Sequence, residues 1–342
     1  MVDFAPGSTG TDEVLFARDG VAGRVMLNRP RAINALTEAM VRAMLAQLEQ
    51  WRRDDDVQII VIQGAGERGL CAGGDVRAVR EAHEAGTTGG IDFWKHEYDL
   101  DALIADYPKP VIAVMDGIVM GGGLGLSIFA THRIVTERSQ VAMPETVIGF
   151  FPDVGATYLL SRAPGEVGTH IALTGQTIDG SDAIYVGFAD RQVASDSFPV
   201  LLGAAAEGKA LEGFGSVPPS SSLADDRAWI DECYASDDPV EILDRLRAHD
   251  SVRAAEAADL IEQRSPLSVA VTLAALRRAA RASSVREVLD TDAIVSEHML
   301  RDGDFSEGVR AQLVDKDKSP RWKHASLAEV PAELVESFFR PA

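Results

Sequence analysis

Short β-branched runs alternate with longer helical patterns in the first half of this chain, and this alternation constrains the fold more than any other feature. Residues 57–62 and 111–115 are continuous apolar runs of the type found in buried strands. A helical pattern over residues 37–51 begins at Thr37, a residue well suited to cap a helix N-terminus. A second helical pattern, over residues 91–107, ends before two prolines. Strands separated by helices predict an α/β fold whose helices cover the sheets.

Beyond about residue 151 the chain changes to one helical pattern after another. Residues 214–223 combine glycine, proline and serine and form the most linker-like segment. Amphipathic helices are predicted after it at residues 254–264, 266–281 and 285–300. The sequence therefore predicts a core over residues 1–215 and a helical C-terminal region over residues 216–342, joined by a linker or a long loop.

The strongly acidic composition restricts the partners of the protein. Its formal net charge of −20 at pH 7 argues against nucleic acid, because such binding depends on clustered Lys and Arg. The same charge repels an anionic ligand at long range, so a site for one needs local cations or backbone donors. No stretch approaches the roughly 20 apolar residues of a membrane-spanning helix, and residues 1–13 resemble neither a signal nor a transit peptide. We expect a cytoplasmic protein without a membrane partner.

Cysteine and histidine are too few and too scattered to suggest a disulfide framework or a metal site. The two cysteines, Cys71 and Cys233, lie far apart, which fits a reducing compartment. The seven histidines show no spacing typical of metal ligands. We therefore predict no bound metal.

One glycine motif suggests a dinucleotide site and has to be weighed against a simpler interpretation. Residues 64–69 match G-x-G-x-x-G and follow a predicted strand. A dinucleotide-binding turn requires a helix to begin at those glycines, so that its N-terminus can hold the pyrophosphate. Here residues 70–74 are turn-like and end in two consecutive glycines. A glycine loop between two elements is the better interpretation of this motif.

Two other glycine-rich segments are more informative. Residues 71–75 (CAGGD) and 117–125 (GIVMGGGLG) each lie between a predicted buried strand and a predicted helix. Such turns leave backbone N–H groups unpaired and let a ligand approach closely. Two donors that converge on one oxygen form an oxyanion hole, although the same turns also suit tight helix–sheet packing.

Four segments resemble, in sequence and in order, those of the crotonase superfamily: residues 28–36 (NRPRAINAL), 71–75 (CAGGD), 120–125 (MGGGLG) and 143–145 (MPE). This resemblance covers roughly residues 14–194. It implies a spiral of ββα units, here with an extended helical C-terminal region. In that family two backbone N–H groups hold the thioester carbonyl, and by position these belong to Gly74 and Gly122. The resemblance further implies that Arg31 contacts coenzyme A, and we assign substrate binding also to residues of the two glycine turns, Ala72, Asp75 and Gly121.

Positions at which this chain departs from the superfamily pattern restrict the set of reactions to expect. Enoyl-CoA hydratases carry one catalytic glutamate two residues after the triple glycine, where this chain has Gly125. Their second glutamate is retained as Glu145, and Asp153 follows eight residues later. The region from 143 to 155 and the C-terminal segments 304–310 and 315–322 are similar to the 3-hydroxyisobutyryl-CoA hydrolases. The resemblance to those hydrolases spans nearly the whole chain.

The chemical requirements of the two reactions also favour hydrolysis over hydration. Hydration of a double bond benefits from two groups that position one water, whereas thioester hydrolysis needs an oxyanion hole and a carboxylate near the carbonyl carbon. Glu145 is the predicted nucleophile or general base. Asp153 is predicted to position water or the leaving group, with a helix N-cap as the alternative. Glu97 matches by spacing a substrate-contacting glutamate, with an exposed helix face as the alternative.

These inferences lead to one expectation with two alternatives. We expect hydrolysis of a short-chain 3-hydroxyacyl-CoA, with 3-hydroxyisobutyryl-CoA of valine breakdown as the leading candidate. No metal or redox cofactor is expected, since coenzyme A is part of the substrate. The alternatives are an enoyl-CoA hydratase or isomerase on the same scaffold and a non-catalytic acyl-CoA-binding protein. Crotonases commonly associate as trimers, so a homo-oligomer is also expected, although the longer tail would cover the usual contact surface.

Overall fold

Ten strands organise the computed structural model, which describes residues 2–209, 213–218 and 220–341. Seven of the strands form one sheet in the order β1-β2-β3-β4-β6-β8-β10, and three form a second sheet in the order β5-β7-β9. Their bounds are β1 Ala5–Pro6, β2 Val14–Asp19, β3 Ala22–Leu27, β4 Ile59–Gly64, β5 Gly69–Cys71, β6 Val111–Met115, β7 Ile118–Met120, β8 His132–Val135, β9 Gln140–Ala142 and β10 Arg191–Gln192.

Fifteen α-helices accompany these strands in the described residues. They are α1 Glu38–Arg52, α2 Val76–Glu84, α3 Gly89–Ala105, α4 Gly122–Gly125, α5 Ala156–Leu160, α6 Val167–Thr174, α7 Gly180–Tyr185, α8 Phe198–Ala206, α9 Ser222–Tyr234, α10 Pro239–Ala248, α11 Val252–Glu262, α12 Pro266–Ala279, α13 Val285–Asp302, α14 Asp304–Val309 and α15 Ala332–Ser337. Short 3₁₀ turns lie at Pro30–Ala32, Glu145–Ile148, Ser195–Ser197 and Leu327–Glu329, and a π-helical turn lies at Arg310–Val314. None of the helices described here is both long and apolar enough to cross a bilayer.

The larger sheet explains why the first half of the sequence alternates strands and helices. β2 and β3 form an antiparallel hairpin, and β3, β4, β6, β8 and β10 then pair in parallel. Parallel neighbours require a crossover connection, which α1 supplies between β3 and β4 and which longer segments supply further along. The α/β class predicted from the sequence is confirmed.

The chain forms two compact units, each discontinuous in sequence. The first comprises Met1–Asp75, Lys95–Val141 and Ile178–Ser221, and the second comprises Val76–Trp94, Ala142–Thr177 and Ser222–Ala342. The larger sheet lies in the first unit. The domain boundary predicted near residue 215 stays a prediction.

A dry apolar layer covers one face of the larger sheet. Ile59, Val61, Ile112 and Val114 of β4 and β6 pack against residues of α8, with Leu201 fully buried. Burying such side chains is worth about 1.5–3 kcal/mol each, so this layer is a main source of stability in the first unit. It holds β4 and β6 rigidly, and the segments that follow these strands carry the glycine turns.

The second unit is helical, as the sequence predicts. α12 lies at its centre: it packs against α5, α6, α10 and α15, and eleven of its fourteen residues are buried. A helix that is buried on nearly all sides belongs in the interior, and α6, all eight of whose residues are buried, lies there with it. Predicted and observed bounds agree within a few residues for α11, α12 and α13.

The glycine motif at residues 64–69 is a loop between two strands. Gly64 ends β4, Gly69 begins β5, and no helix starts at either residue. The dinucleotide-binding alternative is therefore wrong, and the interpretation as a connecting loop is confirmed.

Candidate active site

The turn that follows β5 is held on both sides of Gly74 by backbone hydrogen bonds. The N–H groups of Ala72 and Asp75 donate to the carbonyl groups of Ile33 and Leu36, at 2.9 and 2.8 Å. Within the described part of the chain, the N–H of Gly74 has no acceptor. An unpaired backbone donor inside a fixed turn is available to a ligand.

The triple glycine forms a second turn beside the first. Gly121, at φ 50°, is the N-cap of α4. Gly122 occupies the first helical position, where N–H groups have no partner inside the helix. A Cβ atom at Gly73 would lie only 3.8 Å from the Gly122 nitrogen, so the two turns are neighbours. Gly74 and Gly122 therefore lie in adjacent turns, and that their N–H groups form an oxyanion hole stays a prediction.

Two carboxylates of α3 face the triple-glycine segment. Glu97 is 2% exposed, and a Cβ atom at Gly122 would collide with its carboxylate. Asp101, one helical turn later, is fully buried, and its two carboxylate oxygens lie 2.7 and 2.8 Å from the position of a Cβ at Gly125. The alternative that Glu97 lies on an exposed helix face is wrong. Asp101 was not predicted from the sequence, although its i,i+4 spacing from Glu97 would have indicated it.

Two side chains tie the loop of residues 28–36 to its surroundings, one to the first glycine turn and one to the loop that precedes β5. The Arg29 guanidinium lies 3.1 Å from the carboxylate of Asp75, and Asn34 donates to the carbonyl groups of Ala65 and Gly69 at 3.0 and 3.1 Å. Asp75 therefore has a structural ion pair in addition to its predicted contact with substrate. Arg31, in contrast, lies exposed on a 3₁₀ turn, where its charge is accessible to an anion.

Cys71 does not supply a nucleophile. Burial, with a smaller contribution from the negative charge of Glu97, raises the pKa of its thiol to about 12. Only the thiolate is nucleophilic, so this side chain stays inert near neutral pH. It is a buried small residue, as the sequence predicts.

Glu145 belongs to the second unit and lies in a segment fixed by aromatic packing. It begins the 3₁₀ turn at Glu145–Ile148 and is 7% exposed. The Phe150 ring that follows stacks on Trp94, with ring centroids 4.8 Å apart, and contacts Phe305 of α14 at 5.4 Å. Such aromatic contacts hold the backbone around the carboxylate in one conformation. Phe305 is fully buried.

Asp153 also belongs to the second unit and is 5% exposed. The helix after it, α5, begins at Ala156 with Gly155 as its N-cap and with no side-chain capping bond. The N-cap alternative for Asp153 is therefore wrong. Its electrostatic neighbour is Asp292 of α13, a residue missed in the sequence because nothing in a helical pattern distinguishes a buried carboxyl from a surface one.

No group of three or more His, Cys, Asp or Glu side chains in the described ranges is arranged to hold a metal ion. That the protein needs no cofactor stays a prediction.

The sequence is similar to those of known proteins. A family model described as enoyl-CoA hydratase/isomerase matches residues 22–339. The chain is 40% identical to the mitochondrial 3-hydroxyisobutyryl-CoA hydrolase of Rattus norvegicus, over 97% of this chain and 90% of that protein. It is 37% identical to the mitochondrial 3-hydroxyisobutyryl-CoA hydrolase of Homo sapiens, over 96% and 89%.

Two solved structures match over nearly the full length. One, described as a carnitinyl-CoA dehydratase from Mycobacterium thermoresistibile, has a TM-score of 0.93 and 47% identity and covers 97% of each chain. The other, described as an enoyl-CoA hydratase from Rhodobacter sphaeroides 2.4.1, has a TM-score of 0.93 and 42% identity and covers 96% of this chain and 98% of that one. The ββα architecture with a helical C-terminal region, predicted from the sequence, is confirmed.

Proposed function

The chain belongs to the crotonase (enoyl-CoA hydratase/isomerase) superfamily, and from that membership we propose that it hydrolyses the thioester of a short-chain 3-hydroxyacyl-CoA. The products are free coenzyme A and the hydroxy acid. The leading substrate is 3-hydroxyisobutyryl-CoA, because the rat and human relatives are named for that hydrolysis. This substrate would place the enzyme in valine degradation.

The observation that carries the proposal is the space beside Gly125. The buried carboxylate of Asp101 occupies the volume into which a side chain at position 125 would project. A glutamate there, as the hydratases have, would collide with that carboxylate. The packing thus supports a reaction that does not use a glutamate from this turn, and thioester hydrolysis is such a reaction.

The proposed roles divide between backbone and carboxylates. The N–H groups of Gly74 and Gly122 bind the thioester oxygen and stabilise the negative charge that develops on it. Glu145 either removes a proton from the attacking water or attacks the carbonyl carbon itself, in which case water then cleaves the resulting acyl anhydride and releases the acid and the free Glu145 carboxylate. As the carbon–sulfur bond breaks, the sulfur leaves with the electron pair and takes up a proton to give the free thiol. Asp153 positions the water or the leaving group.

The remaining predicted residues are assigned to binding. Glu97 contacts the polar end of the acyl group, and Arg31 offsets locally the repulsion between coenzyme A and the acidic protein. Ala72, Asp75 and Gly121 shape the two turns. The substrate supplies coenzyme A, so the proposal needs no metal or redox group.

Hydration or dehydration of an acyl-CoA is the second candidate, because the two solved relatives are described as a dehydratase and a hydratase. A non-catalytic acyl-CoA-binding protein is disfavoured by the two retained carboxylates, Glu145 and Asp153. A cytoplasmic location and a homo-oligomer remain part of the proposal; the relatives described above are mitochondrial proteins.

A paired assay tests the proposal. Release of free thiol from 3-hydroxyisobutyryl-CoA is measured beside hydration of crotonyl-CoA, with the same enzyme preparation and buffer. We expect thiol release to be faster, with a higher kcat/KM than for crotonyl-CoA hydration. Dominant hydration would replace the hydrolase proposal by the second candidate, and neither activity would favour the binding protein.

A further inference from the structure

The turn that carries Asp153 has an unusual backbone. Val154 and Gly155 are consecutive residues in the left-handed region, with φ of 51° and 72°. A β-branched residue rarely adopts this conformation, because its side chain clashes with the backbone. The conformation persists only where surrounding contacts impose it. The contacts that hold this turn therefore also determine where the Asp153 carboxylate lies.

One of these contacts comes from α13. The N–H of Gly155 donates to Oδ2 of Asp292 at 2.9 Å, and the Asp292 side chain is 1% exposed. Gly155 is the N-cap of α5, and as a glycine it has no side chain that could accept a bond from the first turn. Its own N–H is accepted by Asp292, 137 positions along the chain, whereas in a capping box a side chain of the first turn accepts that N–H.

Asp292 is also coupled to Asp153 by charge. Burial, and to a smaller extent the negative charge of Asp153, raises the pKa of Asp292 well above its ordinary value, and the Gly155 N–H offsets part of this. Two adjacent buried carboxyl groups cannot both ionise easily, so one of them keeps its proton. Burial and the neighbouring Asp153 therefore both favour the uncharged form of Asp292.

A cavity lies beside Asp292. It has a volume of about 360 Å³, and Asp292 and Thr157 form part of its wall. That space is large enough for ordered water, and its lining is polar enough to bind it. The charged groups near Asp292 are Asp153 from the turn and, in the wall of the same cavity, Arg278 of α12, Arg281 just after that helix and Glu287 of α13.

We propose that Asp292 is a positioning residue for Asp153: through the Gly155 N–H it holds the turn that carries the Asp153 carboxylate. The second part of this role is electrostatic, because an uncharged Asp292 adds no further negative charge beside Asp153. This inference rests on the proposed function of Asp153, and it adds a residue that the comparisons do not identify.

Three variants separate the two parts of this role. Asp292→Asn keeps an oxygen for the Gly155 N–H and cannot ionise, so kcat should fall less than tenfold near neutral pH. Asp292→Ala removes the acceptor and should lower kcat by about 10²-fold, as small misplacements of catalytic groups do. Asp290→Asn is the matched control, because Asp290 lies exposed on the same helix and pairs with Arg286.

The pH–rate profile gives a readout that a merely structural role would not change. Coupled carboxyl groups show apparent pKa values that belong to the pair. In the wild type, ionisation of Asp292 at high pH adds a second charge beside Asp153 and should end activity on the alkaline side. Asp292→Asn should lack that loss, and Asp290→Asn should retain it.

Thermal unfolding against pH tests the pair without any substrate. A carboxyl group whose folded pKa is raised stabilises the protein below its unfolded pKa, near 3.9, and this stability is lost as pH rises toward the folded pKa. The Tm of Asp292→Asn relative to wild type should therefore increase as pH is raised above about 4. Asp153→Asn should reduce the wild-type slope, because it removes the neighbouring charge.

The outcomes are distinguishable. If Asp292→Asn shows the wild-type pH–rate profile and a parallel Tm curve, or if Asp292→Ala keeps wild-type kcat, the inference is wrong. If the wild type releases no thiol from any 3-hydroxyacyl-CoA, the proposed function fails, and the Tm curves alone still decide whether Asp292 and Asp153 form a pair.

Discussion

Glu97 illustrates how a single side chain is placed by the residues opposite it. Its carboxylate occupies the space that any side chain at position 122 would need, so the glycine and the glutamate depend on each other. The same turn offers the unpaired N–H of Gly122. A carboxylate beside that donor is suited to orient a polar acyl group, whereas Glu145 lies in a separate segment and is assigned to the carbonyl carbon.

These roles predict different kinetic defects. Glu145→Gln should lower kcat by about 10²–10⁴-fold, because the amide neither attacks the carbonyl nor accepts a proton. Glu97→Gln should leave kcat much closer to wild type and raise KM by about tenfold, the effect of weakening one bond to a charged group. Steady-state kinetics with 3-hydroxyisobutyryl-CoA measures both parameters. Circular dichroism and Tm serve as folding controls, and equal kcat losses would contradict this division of roles.

At the scale of elements, α4 is short and spans only Gly122–Gly125. The Ser127 hydroxyl donates to the Gly123 carbonyl at 2.8 Å, and such side-chain bonds compete with regular helix geometry. α3 packs against this short helix so closely that Gly125 touches the carboxylate of Asp101.

This close packing predicts that Gly125→Ala destabilises the protein. The added methyl group would overlap the buried Asp101 carboxylate, and overpacking of this kind costs about 1–3 kcal/mol. The cost should be smaller when Asp101 is already replaced by alanine, which a double-mutant cycle measures by denaturant unfolding. Gly203→Ala is the control: Gly203 lies in α8 with open space around its Cβ position, and alanine should stabilise the helix by up to about 1 kcal/mol. Equal effects of Gly125→Ala in both backgrounds would refute the predicted overlap.

The charge of the whole molecule has consequences for a coenzyme A ester. With a formal net charge of −20, the protein repels an anionic substrate over distances comparable to the Debye length, and salt shortens that length. The attraction that the proposed contact with Arg31 would add acts at short range, so salt would screen it less. Net repulsion should therefore control the salt dependence of substrate capture.

Raising the ionic strength from about 10 mM to about 150 mM should increase kcat/KM for the coenzyme A ester several-fold. The matched control is the N-acetylcysteamine thioester of the same acid, which lacks the phosphate groups and should show little dependence on salt. A fall in kcat/KM for the coenzyme A ester would mean that local cations outweigh the net charge.

The sequence by itself determined the elements and the backbone part of the candidate site. Strand and helix periodicity depend on which faces of an element are buried. The bounds of β4, β6, α11, α12 and α13 were therefore predicted to within a few residues. The glycine turns with Gly74 and Gly122 were visible because glycine is needed wherever the backbone must turn sharply and stay accessible. The order of the motifs also indicated the superfamily.

The tertiary structure alone decided which polar side chains are buried and what they touch. A helical pattern does not show that Glu97 and Asp101 lie against the triple glycine, because both could equally have faced solvent. The pairing of Asp153 with Asp292 joins residues 139 positions apart, and the bond from Gly155 that accompanies it depends on how α13 packs. Local sequence specifies periodicity and turns. Contacts between distant segments depend on the packing of the whole chain. That packing also determines whether a buried carboxyl group is charged.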